Sequence, residues 1–141
     1  MKLDLPEVGN MSSTHSANPL VCAAGLAVLE EIELKNIVAE TARRGEILKD
    51  SLQNLKSKFP EIINNYYGEG LIASVIFDDF NKLSKNELAS QISEKCMQKG
   101  LLVVHTGRES IKLGPPLTIT DEALLEAMSV FEEAIKEVIS H

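Results

Sequence analysis

The chain has 141 residues, a length that suits one domain able to bury a real core without metals or disulfides. A net charge of −7 argues against nucleic acid and against anionic membrane surfaces, because both attract clustered Lys and Arg. Hydrophobic content of 44% and charged content of 25% are those of an ordinary globular protein.

In chain order, residues 1–17 carry no helical period and are expected to lie on another surface or to be mobile. A helix is predicted over 18–33. Asn18 is a good N-cap, and Pro19 suits the first helical position, where its missing N–H is not needed. The run from Leu20 to Leu29 is apolar or small on all sides, so this helix needs partners all round. The run is too short to span a bilayer, which takes about 20 residues, and no basic leader precedes it.

A second helix is predicted over 36–59, with Val38, Thr41, Gly45, Leu48, Leu52, Leu55 and Phe59 on its inner stripe and Pro60 at its end. Gly70 to Phe77 is nearly unbroken apolar sequence rich in β-branched residues, which predicts a central strand. Ser84 and Glu87 form a capping box, flanked by Leu83 and Leu88, for a helix over 84–99 that stops at Gly100. Strands are predicted near 101–105 and 110–114, with Pro115-Pro116 ending the second. Thr120 caps a last helix over 120–139, striped by Leu124, Met128, Phe131, Ile135 and Val138. The order predicts an α/β chain of the α+β type: a small, mostly antiparallel sheet with helices on one face.

Cys22 and Cys96 make no disulfide framework and are read as two buried thiols. His105 and His141 are read as exposed, and the carboxylates as solvated helix faces. His15 has no visible partner for general-base or metal chemistry. The stretch Met11 to Pro19 concentrates hydroxyls just ahead of a helix N-terminus. It is either a capped loop or an anion site, since free N–H groups and the helix dipole favour an anion there.

A family resemblance bears on that choice. Ser13-Thr14-His15-Ser16-Ala17-Asn18-Pro19-Leu20, followed by Cys22-Ala23-Ala24, resembles the S-T-x-x-x-N-P-L-x-x-A-A pattern of class-III, pyridoxal-phosphate-dependent aminotransferases. Tyr67-Gly68-Glu69-Gly70-Leu71 is similar to the family's R-G-x-G-L stretch, and Ile111-Lys112-Leu113-Gly114-Pro115-Pro116-Leu117 to its I-R-x-x-P-P-L segment. The resemblance covers essentially the whole chain. It implies a loop over 1–18 carrying the cofactor-phosphate motif, and over 19–141 the C-terminal small domain of such an enzyme. By it, Ser13 and Thr14 bind the phosphate of pyridoxal phosphate across a homodimer interface.

Lys112 stands where the family usually has Arg and is either a substrate-carboxylate ligand or a solvated strand lysine. Tyr67 replaces the motif's Arg and is given no site role. The resemblance further implies amino-group transfer from an amino acid or amine to a 2-oxo acid, while the two isolated cysteines, read as buried thiols, point to a reducing cytoplasm.

The Schiff-base lysine of the family lies upstream of the S-T motif, and only Lys2 precedes Ser13 here. The expectation is therefore a piece of a longer aminotransferase, separated from its large domain. Such a piece is expected to have no catalytic residue and no metal, and to be inactive and free of cofactor when isolated. The alternative is a non-enzymatic docking or regulatory module that keeps the same fold.

Overall fold

A computed structural model describes Thr14 and residues 18–140. The chain divides into two compact units, Met1–Asn36 and Ile37–His141.

In the first unit α1 spans Pro19–Leu34, with Pro at its start and the Asn18 side chain accepting the Leu20 N–H at 2.9 Å. No residue of α1 is buried. Leu20 is 79% exposed and Leu29 59%. The expectation of two buried thiols fails at Cys22, which lies on this helix and is exposed. Asn36, with φ 48°, takes the left-handed conformation that Asn tolerates and ends the unit.

The second unit holds α2 (Ile37–Lys58), β1 (Ile63–Glu69), β2 (Ile72–Phe77), α3 (Lys85–Gln98), β3 (Val104–His105), β4 (Ser110–Leu113) and α4 (Asp121–Ile139). The four strands form one sheet in the order β1-β2-β4-β3, antiparallel throughout. β1 is absent from the sequence expectation, and β3 is shorter than expected: Leu101, Leu102 and Val103 precede the paired residues. The other predicted elements match to within a residue or two. The Ser84–Glu87 capping box is complete, and Thr120 accepts the Ala123 N–H. Gly100 ends α3 with φ 88°.

One face of the sheet is covered. Ala73, Val75 and Phe77 of β2 and Ile111 and Leu113 of β4 share that face and are buried under the helices. α2 and α3 lie against the strands, and α4 packs on both helices through Leu124, Met128, Phe131, Ile135 and Val138. The stripe expected on α2 holds from Gly45 to Leu55 and fails at Val38, which is 73% exposed; Ile37 beside it is buried instead. A bulge at Asn64 keeps Ile63 and Tyr66 on the covered side, and the Asn64 amide donates to the Asp78 carboxylate at 2.9 Å.

α2 meets the β1–β2 turn backbone to backbone. A Cβ built on Gly45 falls 2.6 Å from the Gly70 Cα and 2.8 Å from its carbonyl oxygen, and Gly70 itself has φ 55°. In an exposed helix Gly→Ala gains up to about 1 kcal/mol. Here the methyl has only backbone to push against. Gly45→Ala is expected to lower stability by about 1–3 kcal/mol. Urea unfolding checks this, and an unchanged or higher midpoint would show that α2 does not rest on the turn.

Several carboxylates read as solvated faces instead join helices. The Arg43 guanidinium meets both Asp121 oxygens at 2.7 Å, and Arg44 Nε donates to the same carboxylate at 3.1 Å. Lys58 pairs with Glu132, and Lys99 with Glu133 and Glu137. Hydrogen bonds from Arg43, and then from Arg44, hold the Asp121 carboxyl below its ordinary value of 3.8. A depressed carboxyl contributes stability above its unfolded pKa and loses it as pH falls through the folded one. The stability gap between the wild type and Asp121→Asn should therefore be level from neutral pH to about pH 5 and close below the ordinary value. Added salt should narrow it at pH 7. A gap unchanged at the acid end, measured by urea unfolding across pH, would remove Asp121 from the account.

Candidate functional site

The residues singled out from the sequence fall in different units. Ser13 and His15 lie outside the described residues, as do Lys2 and His141. Thr14 is an exposed turn residue ahead of the Asn18-capped start of α1. Its hydroxyl and the positive end of a 16-residue helix are groups of the kind that meet an anion.

Lys112 stands in the middle of β4, exposed, on the sheet face opposite the helices. The register sets it opposite Ser74 on β2 and Val104 on β3, and Ser74 opposite Tyr67 on β1. One row therefore crosses the sheet as Tyr67, Ser74, Lys112 and Val104. Directly opposed residues of antiparallel strands point to the same side. Ile72, 61% exposed, and Glu69 face each other two residues along, on the same side. The Lys112 side chain makes no ion pair or hydrogen bond among the described residues. The row escapes a reading of the sequence because β1 does, and because pairing register is not written along one strand. The signal that was available is the alternation Ile72, Ser74, Ile76 against Ala73, Val75, Phe77.

The remaining candidates carry no chemistry. Cys96 is a core thiol whose pKa burial pushes up to about 11, which leaves it protonated and inert near neutral pH. His105 is half-buried, a correction to its expected exposure, and its Nε2 lies 3.1 Å from the Asn86 side chain and 2.9 Å from the Arg108 carbonyl. A cavity of about 200 Å³ is lined by apolar side chains such as Leu48, Val103, Ile119 and Phe131 and offers no polar side chain. Among the described residues no group of three His, Cys, Asp or Glu could hold a metal, and no helix is long and apolar enough to cross a membrane.

Comparison with known proteins identifies the architecture. The family model described as aminotransferase class-III matches residues 3–135. The chain belongs to the class-III aminotransferases. An acetylornithine aminotransferase from a Synechocystis species is 32% identical over 136 residues, covering 96% of this chain and 31% of that protein. A putrescine aminotransferase from Pectobacterium atrosepticum is 32% identical over 129 residues, covering 90% of this chain and 26% of that protein. The crystal structure of acetylornithine aminotransferase from Elizabethkingia anophelis superposes with a TM-score of 0.81 at 28% identity, covering 94% of this chain and 32% of that one. This class-III chain thus spans about a third or less of the length of the relatives it matches.

Proposed function

We propose that this chain is the C-terminal part of a class-III aminotransferase that transfers an amino group from an amino acid or amine to a 2-oxo acid through pyridoxal phosphate. In this reading residues 1–18 form the loop with the cofactor-phosphate motif, and 19–141 form the small domain. The observation that carries it is the family match over residues 3–135 at about a third of the relatives' length. The partners are then the large domain of the same polypeptide, a second subunit, and small-molecule amino donor and acceptor. The free thiols of Cys22 and Cys96 suit a cytoplasmic location.

The residues present fit one end of the cofactor. Its phosphate is a dianion, and the Thr14 hydroxyl in an exposed turn ahead of a helix N-terminus is a donor of the right kind, with Ser13 beside it in sequence. The aldehyde end calls for a lysine held in a pocket, and no described lysine is buried. In this reading that lysine belongs to the large domain, and the isolated chain is inactive. Pyridoxal phosphate, when bound, supplies the electron sink that amino-group transfer requires. What this chain contributes is the phosphate grip of Ser13 and Thr14 and, from Lys112, a positive charge for a substrate carboxylate. Lysine keeps that charge without arginine's planar fork.

The bare apolar sides of α1 support a docking role, since large exposed apolar patches drive association. The isolated chain is expected to sediment as a dimer or larger species, and Leu26→Glu with Leu29→Glu should shift it towards monomer. A strictly monomeric profile at high concentration would count against this.

The cofactor role is tested by titrating pyridoxal phosphate into the isolated chain and into the full-length protein. Charge-assisted hydrogen bonds are worth about 1.5–3 kcal/mol, so Thr14→Ala should weaken cofactor affinity of the full-length protein roughly ten- to a hundredfold. Unchanged affinity would remove Thr14 from the phosphate site. A stoichiometric, borohydride-trapped adduct at one lysine of the isolated chain would overturn the division of labour between this chain and the large domain.

A further inference from the structure

We propose that Ser74 shares the substrate carboxylate with Lys112, so that two residues on neighbouring strands do together what one guanidinium fork would do alone. The inference rests on the reading of Lys112 as the carboxylate anchor and goes beyond it in naming the second contact.

The register makes the pairing specific. Ser74 is directly opposite Lys112, on the open face. Side chains so opposed have their Cβ atoms about 4.5–5.5 Å apart, close enough for both to reach one small anion. An ammonium is a point donor at the end of a flexible stem, whereas a guanidinium meets both oxygens of a carboxylate by itself. Lys112 therefore leaves the second oxygen to another donor, and the hydroxyl of Ser74 is the donor that the register puts beside it.

That hydroxyl is not committed elsewhere. Ser51, Ser57, Ser93 and Ser140 return theirs to carbonyls of their own helices, and that of Ser110 pairs with Thr106. The Ser74 side chain is half-buried and makes no hydrogen bond among the described residues.

The surroundings suit one carboxylate and no more. The row holds a single positive charge and no acid, with Val104 beyond Lys112 and the Tyr67 phenol beyond Ser74. Glu69 shares the face but stands outside the row, opposite Ile72. Exposed Ile72, Tyr67 and Val104 around the polar pair would shield a bound carboxylate from competing water. The substrate class is therefore an amino acid or 2-oxo acid that presents one carboxylate to this face. An amine or diamine without a carboxylate would gain nothing from Lys112 or Ser74.

The experiment measures kcat/KM of the full-length protein for an amino-acid donor and for the corresponding amine that lacks the carboxylate. The variants are Ser74→Ala, Ser74→Thr, Lys112→Ala, Lys112→Arg and Lys112→Arg with Ser74→Ala, with thermal melts reporting that each is folded. Ser74→Ala should lower the preference for the acid over the amine roughly tenfold, mainly through KM. Ser74→Thr, which keeps the hydroxyl, should restore most of it.

In the Lys112→Arg background the same Ser→Ala change should cost less than about threefold, because the fork now meets both oxygens. Equal loss in both backgrounds, or equal loss for acid and amine, would overturn the sharing. A loss with Lys112→Ala and none with Ser74→Ala would leave the anchor standing and remove Ser74. No loss with Lys112→Ala, or no turnover of any carboxylate substrate, would remove the anchor and the sharing with it.

Discussion

The contact between Gly45 and Gly70 sets the geometry from which the rest of the second unit follows. With no side chain on either glycine, α2 lies down on the β1–β2 turn itself, and Leu48, Leu52 and Leu55 on the same stripe are buried against the sheet. The turn is two residues long, since Glu69 pairs with Ile72. Such a short turn fixes the hairpin register. Because strand side chains alternate, fixing which residues meet α2 also fixes which do not. Tyr66, Ala73 and Val75 go to the helices, while Tyr67 and Ser74 go to the other face. The open row with Lys112 is thus a consequence of how closely a helix packs on the opposite side.

The helical side is held mostly by apolar burial, with ion pairs at its margins. Phe77, Phe131, Ile111 and Ile135 are fully buried, and among the described residues no charged one joins them. The Asp121, Glu132 and Glu137 pairs bridge helices that are far apart in sequence, yet their partners are partly exposed. Exposed pairs of this kind typically contribute about 0–1 kcal/mol each, so they select the helix arrangement more than they stabilise it.

Much of this was legible in the sequence wherever local chemistry decides structure. Asn18-Pro19, Ser84 with Glu87, and Thr120 each start a helix through a hydrogen bond to their own first turn, so the signal lies within a few residues. β1 was not legible, because Asn64, Asn65 and Gly68 are poor strand residues and the strand exists by pairing with β2 under α2. The unpaired half of the expected 101–105 strand failed for the converse reason: Leu101-Leu102-Val103 has strand composition, but β4 pairs only with the two residues that follow. The strand that carries Lys112 was legible in the sequence. Its neighbours were not, since register is a property of two strands and one of them was missing from the reading. At α1 the sequence and the structure agree on a helix that is apolar all round, and within this chain that surface stays exposed.

The pairing of cations separates Lys112 from most other basic residues of the unit. Arg43, Arg44, Lys49, Lys58, Lys95 and Lys136 lie on helices and Lys99 caps the end of one, and each has a carboxylate within 4.0 Å. Those charges are spent on the protein's own acids. Lys112 sits on a strand whose opposed neighbours are Ser74 and Val104, so the sheet provides it no acid to meet. In a chain of net charge −7, Lys112 stands in a row of apolar and hydroxyl-bearing residues with no carboxylate opposed to it, so an anion from outside would meet little repulsion in that row. In the role proposed for Lys112, a lysine serves where a guanidinium would ordinarily be needed, with Ser74 as the second donor. Fork geometry matters when one side chain must make both hydrogen bonds, and on this face the sheet brings a second donor alongside.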